Sequence, residues 1–162
     1  MQTLLPLAEA IATRLIEQHE TVAVAEGSAG GLISAALLSV PGASAYFLGG
    51  GVIYTASARS GLLDITAADM TGIRAASEPY AQLLARRMRD KLGATWAIAE
   101  AGAAGPTGNR YGDPAGHCCL AVAGPVETSL TLRTGSADRR TNMQVFAKRG
   151  LELFAEAIGR EK

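Results

Sequence analysis

The stretch Thr21–Val40, TVAVAEGSAGGLISAALLSV, decides the fold of this chain. Its first part, Thr21–Ala25, is an apolar run short enough for a buried strand. The small residues of Glu26–Gly31 predict a tight turn, and Leu32–Val40 places its apolar side chains on one helical face. A strand, a glycine turn and a helix together point free backbone N–H groups at one spot, where anions bind readily. The alternative that the stretch leaves open is a tight connection without a ligand.

Strands and helices alternate along the rest of the chain, which predicts an α/β fold: a three-layer α/β/α sandwich around a mixed sheet. The length fits a single domain of residues 1–162. Strands are expected at 45–55, 95–101, 117–123 and 128–133, and helices at 3–19, 57–63, 77–92 and 137–159. We expect Ser57 and Ser77 to cap the second and third of those helices. Residues 102–116 predict a glycine- and proline-rich loop, of a length that is uncommon without a function.

Composition narrows the possible partners. The chain has 15 basic and 15 acidic residues, so its formal net charge is zero. The excess of basic residues that is typical of nucleic-acid-binding proteins is therefore absent from the composition. No apolar run is long enough for a bilayer, and the N-terminal segment lacks the basic cluster of a secretory signal. These features predict a cytoplasmic protein without a membrane partner. The adjacent Cys118 and Cys119 point to opposite faces of a predicted strand, so we expect neither a disulfide between them nor a metal site.

Polar side chains stand at or near the expected strand ends, where open α/β sheets bind ligands. They are Glu26, Ser28, Tyr54, Arg59, Glu100 and Asp113. The turn Glu26–Gly30 resembles a nucleophile elbow, G-x-S-x-G, with Glu26 in place of the first glycine. A triad with Ser28 needs a histidine, for which His117 is the candidate; the simpler interpretation is that Ser28 caps the following helix.

Four ordered motifs carry a resemblance to a known family: VAEGSAGGLISAAL, PGASAYFLGGGVIYTASARSGLL, ASEPYAQLLA and AGAAGPTGNRYGDPAGHCCLAV. They are similar to the C-terminal domain of the competence/damage-inducible protein CinA, which also occurs alone as nicotinamide-mononucleotide amidohydrolase (PncC). The resemblance implies an α/β/α fold, a cytoplasmic role in NAD salvage, a homodimer or higher homo-oligomer, and a pocket for a pyridine mononucleotide. The family reaction hydrolyses nicotinamide mononucleotide to nicotinate mononucleotide and ammonia, using a serine nucleophile and a lysine base, with neither metal nor cofactor.

The resemblance also shows where this chain departs from the family. The family's serine falls on Gly27, its lysine on Arg59 and its threonine on Ala101. Glycine has no side chain with which to attack a carbonyl, and arginine stays protonated and cannot act as a base. The strand-end residues and the resemblance together give candidate catalytic-site positions at Ser28, Tyr54 and Arg59. The candidate ligand-binding positions are Glu26, Gly27, Gly30, Gly31, Ala101, Gly102, Gly105 and Arg139.

Three functions are compatible with this pattern. The favoured one is a diverged paralogue that keeps a nucleotide-type pocket but has lost the serine–lysine pair. The second is an active amidohydrolase that uses Ser28, or a water activated by Glu26 or Glu100, with assistance from Tyr54. The third is a non-catalytic oligomerisation module. We further expect Glu100 or Glu26 to form an ion pair with Arg59 and neutralise it.

Overall fold

The computed structural model describes residues 1–160, which contain five α-helices, a short 3-10 helix at Ala43–Ala45 and five strands. The helices are α1 (Leu5–Gln18), α2 (Leu32–Leu38), α3 (Ala56–Leu63), α4 (Glu78–Leu92) and α5 (Arg139–Arg160). The strands are β1 (Val22–Glu26), β2 (Phe47–Val52), β3 (Trp96–Ala103), β4 (His117–Ala123) and β5 (Thr128–Arg133). Within the described range, no helix has the length and apolar character needed to cross a membrane.

The five strands form one mixed sheet in the order β2-β1-β3-β4-β5. Strands β2, β1 and β3 are parallel, whereas β4 and β5 run antiparallel to their neighbours as a hairpin. Helices α1, α2 and α5 pack on one face, and α3 and α4 pack on the other. The predicted α/β/α sandwich with a mixed sheet is therefore confirmed.

Alternation along β1 divides the core between the two faces of the sheet. Val22 and Val24 pack with the helices of one face, and Ala23 and Ala25 pack beneath α4 on the other. The two cysteines follow the same rule, since Cys118 lies in the first cluster and Cys119 in the second, and both are free thiols. The expectation that they point to opposite faces is confirmed.

Side-chain hydroxyls cap the N-termini of α3 and α4, and the residue predicted to cap α3 is wrong. Ser77 caps α4, as expected, because its hydroxyl accepts a hydrogen bond from the Tyr80 amide. Helix α3 is capped by Thr55, whose Oγ1 accepts from the Ala58 amide at 3.0 Å, and not by Ser57. Strand β3 also continues to Ala103, two residues beyond its predicted end, because those residues pair with the start of β4.

The chain changes direction within the sheet next to β1, and this creates a crevice. After β1, the chain passes through α2 on one face to reach β2, then returns through α3 and α4 on the other face to reach β3. Ligands of open α/β sheets bind where strands end beside such a reversal. Glycine lets β2 approach closely here, since a Cβ on Gly50 would lie 2.2 Å from the Ser34 hydroxyl.

Candidate functional site

Two cavities open at the carboxyl ends of β1 and β3 and meet at Ser28. The larger measures about 250 Å³ and the smaller about 100 Å³, and Ser28, Tyr54 and Gly102 line both. The larger is walled by the loop after β3 and by α5; its other residues are Ala103, Ala104, Gly105, Thr107, Gly108, Asn109 and Arg139. The smaller is mostly apolar; its other residues are Gly27, Ile53, Ala75, Ala76, Tyr80 and Ala101.

Most of the residues that the sequence singled out come together around these cavities. Ser28 and Tyr54 line both cavities, Gly27 and Ala101 line the smaller one, and Arg139 lines the larger one. The predicted convergence of the turn after β1, the end of β2 and the loop after β3 is thus present in the fold. The ligand-binding and catalytic roles expected of these residues stay predictions.

Glu100 is the central polar group of the site. It is fully buried, and its Oε2 accepts hydrogen bonds from the backbone amides of Gly27, at 3.0 Å, and Ala29, at 2.7 Å. Its Oε1 accepts a short hydrogen bond, 2.5 Å, from the Ser28 hydroxyl. A single carboxylate on β3 therefore fixes the whole turn that follows β1.

Burial raises the pKa of Glu100 above its usual value of 4.5, and the hydrogen bonds from Ser28 and the turn amides oppose that rise. The Ser28 hydroxyl is thus engaged with Glu100 and does not cap α2, so the predicted cap at Ser28 is wrong. His117 does not reach Ser28 either, because its Nε2 donates to the Ala76 carbonyl at 2.8 Å.

Glu26 occupies the site where the glycine turn was expected to bind an anion. Its Oε1 accepts from the Ile33 amide at 2.8 Å, and its Oε2 accepts from the amide and hydroxyl of Ser34. The N-terminus of α2 is therefore capped by the protein's own buried carboxylate. Glu26 therefore takes up two donors of this helix end, and Gly30, Gly31 and Glu26 line neither cavity. The ligand-binding role expected at Gly30 and Gly31 stays a prediction.

Arg59 is half-buried beside the smaller cavity, outside its wall. Its guanidinium carbon lies 5.8 Å from the centroid of the Tyr80 ring, a cation–π distance. Within residues 1–160 neither Glu26 nor Glu100 lies within 4.0 Å of that guanidinium, because both carboxylates are turned to backbone amides. The predicted ion pair is therefore wrong. Burial raises the pKa of Tyr80, and the neighbouring Arg59 guanidinium opposes that rise.

Arg139 closes one side of the larger cavity. It is the first residue of α5, and its two terminal nitrogens donate to the Gly105 carbonyl at 2.7 Å and to the Tyr54 hydroxyl at 3.2 Å. These bonds place a permanent positive charge at the cavity mouth, between the loop after β3 and the end of β2.

Ala75 and Ala76, which line the smaller cavity, are held in place by contacts with β4 and with the long loop after β3. Ala76 has a left-handed backbone, φ 56°, and the His117 ring donates to its carbonyl. Arg74 makes two hydrogen bonds to the buried Asp113 carboxylate, at 2.7 and 3.2 Å. The Arg74 guanidinium lowers the pKa of Asp113 to about 2. This ion pair ties the segment before α4 to the long loop after β3.

Several cavity residues were not singled out from the sequence, although Ala76, Tyr80 and Asn109 fall within the motifs that carry the family resemblance. Ala75 and Ala76 lie in a segment without helical or strand periodicity, and Tyr80 and Asn109 belong to no catalytic motif. Among residues 1–160, no three histidine, cysteine or acidic side chains cluster closely enough to hold a metal ion.

Comparison with known proteins gives the same family throughout. A model of the CinA C-terminal domain matches residues 4–158. The CinA-like protein of Chlorobium limicola is 35% identical over 150 residues, which are 90% of this chain and 35% of that protein. The chain thus spans about a third of the length of this curated relative.

Solved structures agree with this match. The competence/damage inducible protein CihA from Agrobacterium tumefaciens is 29% identical with a TM-score of 0.86, over 95% of this chain and 94% of that one. The competence damage-inducible protein A from Klebsiella pneumoniae is 25% identical with a TM-score of 0.91, over 98% of this chain and 99% of that one.

Proposed function

The chain belongs to the family of the CinA C-terminal domain, and from that premise we propose that it binds a pyridine mononucleotide without the family's serine–lysine pair. The observation that carries this proposal is the pair of cavities that meet at Ser28. Together they reach the lower end of the volume range of about 300–1,000 Å³ that small-molecule sites occupy.

The two cavities differ in polarity, as the two halves of a mononucleotide do. The smaller one offers Ile53, alanines and the Tyr80 ring to a flat heterocycle. The larger one offers the Arg139 guanidinium and polar loop residues such as Asn109 to a ribose and a phosphate. Arginine suits phosphate because its N–H groups bind the oxygens in a charge-assisted, bidentate manner. We therefore place the phosphate at Arg139 and not at the turn after β1.

The chemistry of the family cannot proceed through its usual residues in this chain. Gly27 has no hydroxyl, and position 59 holds an arginine, which cannot act as a base as lysine can and which packs over the Tyr80 ring. Removing the nucleophile of a hydrolase can lower its rate by about 10⁶-fold. On this proposal the protein is a diverged paralogue that retains the pocket.

Calorimetric titration with nicotinamide mononucleotide tests the proposal, with adenosine monophosphate as a control that has the phosphate but lacks the pyridine ring. The proposal predicts saturable binding of the pyridine nucleotide and weaker binding of the control. Equal heats for both would refute recognition of the ring. No heat for either would overturn the proposal and favour a non-catalytic oligomerisation module, which sedimentation of the same sample would examine.

A further inference from the structure

We propose that Ser28 and Glu100 form a catalytic pair that hydrolyses an amide or ester carbonyl bound at the junction of the two cavities. This rests on the proposed pocket, and it supplies a nucleophile and a base that differ from the serine and lysine implied by the family resemblance. Ser28 is 4% exposed and lines both cavities. A nucleophile at that point reaches a ligand that spans the two cavities.

The geometry of the pair is that of a serine with its general base. The Ser28 hydroxyl donates to Glu100 Oε1 at 2.5 Å, which is within the distance needed for proton transfer. The base is itself held, because Oε2 accepts from the amides of Gly27 and Ala29 on either side of the serine. The same carboxylate therefore holds both the serine hydroxyl and the backbone on either side of it.

The surroundings suit a carboxylate that accepts a proton. Glu100 is fully buried, and its other neighbour is the Cys118 thiol, which donates to Oε1 at 3.5 Å. No basic side chain in the described part of the protein forms an ion pair with Glu100. Burial raises the pKa of Glu100, which brings it closer to the range in which a general base works at neutral pH.

The reaction balances with water as the only co-reactant. Ser28 Oγ forms a bond to the carbonyl carbon while its proton passes to Glu100 Oε1. Collapse of the tetrahedral intermediate breaks the carbon–nitrogen bond, and Glu100 returns the proton to the departing nitrogen; a primary amide thus releases ammonia. Water then attacks the ester on Ser28 and gives a proton to Glu100, which passes it to Oγ as the ester breaks. The product is a carboxylic acid, and the pair is restored.

Acylation by p-nitrophenyl acetate tests the pair independently of the natural ligand. We expect nitrophenolate release together with an acetyl group that peptide mass mapping places on Ser28. Ser28→Ala loses that label, whereas Ser60→Ala, on the exposed side of α3, keeps it. Glu100→Gln slows the labelling of Ser28 by about 10²–10⁴-fold, the usual contribution of a general base.

A pH profile separates a base from a residue that only holds the turn. As the base, Glu100 makes the wild-type labelling rate rise with pH through a pKa above 4.5, and Glu100→Gln removes that dependence. A merely structural Glu100 changes the rate without removing the titration. If Glu100→Gln does not fold, the wild-type profile and Ser28→Ala still decide, since Ser28→Ala leaves both backbone bonds to Glu100 in place.

Two results would overturn the pair: acetyl groups only on residues other than Ser28, or equal labelling of Ser28 in wild type and Glu100→Gln. Titration of the same sample with nicotinamide mononucleotide keeps this test apart from that of the pocket. Labelled Ser28 without nucleotide binding would contradict the proposed ligand but support the pair. Nucleotide binding without labelled Ser28 would support the proposed ligand but contradict the catalytic pair.

Discussion

Glu100→Ala should destabilise the protein strongly, because the carboxylate is the partner of three donors in one turn. The substitution leaves the amides of Gly27 and Ala29 and the Ser28 hydroxyl without an acceptor. An unsatisfied buried donor costs about 1–3 kcal/mol. Water from the adjoining cavity can reach the hydroxyl, so we count the two amides and expect a loss of about 3 kcal/mol in the free energy of unfolding. For a chain of this size that lowers Tm by about 6–12 °C.

Glu100→Gln is the matched comparison and should cost about 1 kcal/mol, because its amide oxygen still accepts from both backbone donors. Glu17→Ala, at an exposed position on α1, should stay within about 0.5 kcal/mol of wild type. Urea unfolding followed by circular dichroism measures all three variants. If Glu100→Ala were as stable as Glu17→Ala, the hydrogen bonds to the turn would contribute nothing, and the reasoning would fail.

The raised pKa of Glu100 adds a pH dependence with a definite sign. The folded protein binds the proton more tightly than the unfolded chain, so this group favours folding below its ordinary pKa of 4.5. That contribution is lost as pH rises through the folded-state pKa. Relative to Glu100→Gln, the wild type should therefore lose stability as pH rises from about 4 towards neutrality. A difference between the two proteins that is constant with pH would contradict this.

Three further predictions concern the walls of the site. Gly27→Ser should lower the free energy of unfolding by no more than about 1 kcal/mol, because a Cβ there lies 3.2 Å from the Glu100 carbonyl oxygen. Gly102→Ser should lower it by about 2 kcal/mol or more, because its Cβ would lie 2.4 Å from the His117 carbonyl oxygen. The midpoints of urea unfolding compare the two variants. Asp113→Asn should lose about 1 kcal/mol in the free energy of unfolding at neutral pH, a discounted value because the Arg74 side chain is 43% exposed. Since the pKa of Asp113 is lowered to about 2, the wild type should lose this advantage as pH falls from 3.8 to that value. Asp90→Asn, which removes an exposed ion pair, should change the stability little. The triple variant Gly27→Ser, Arg59→Lys, Ala101→Thr should release ammonia from nicotinamide mononucleotide if the family's serine–lysine pair can be rebuilt in this pocket. A folded variant that binds the nucleotide but stays inactive would show that the pocket no longer holds the carboxamide next to that pair.

Local patterns in the sequence were enough for the framework of this fold. The hairpin strands His117–Ala123 and Thr128–Arg133 have the predicted bounds, because Gly124 and Pro125 mark the turn between them. The meeting of Ser28, Tyr54 and the loop after β3 also follows from strand direction, since parallel strands end at the same edge.

Contacts between distant residues could not be obtained in the same way. Glu100 and Gly27 are 73 positions apart in the sequence. No rule of sequence spacing predicts that the Glu100 carboxylate accepts hydrogen bonds from the backbone amides after β1 and does not pair with Arg59. The bonds of Glu26 at the glycine turn were missed for a related reason. The turn has the expected helix end, but Glu26, the residue that ends β1, folds back to cap it. The cap at Thr55 was missed because Thr55 and Ser57 are both capping residue types, lie two positions apart, and serine is the more favoured of the two.

Titration of nicotinamide mononucleotide into two neighbouring arginine variants tests the proposed site most directly. Arg139 lines the larger cavity, whereas Arg140, the next residue of α5, is exposed and lines neither cavity. A charge-assisted bond to phosphate is worth about 1.5–3 kcal/mol, so Arg139→Ala should weaken binding by about 10-fold or more. Arg140→Ala should bind as wild type does. Equal affinity for both variants, or a loss confined to Arg140→Ala, would contradict a mononucleotide site at the junction of these cavities.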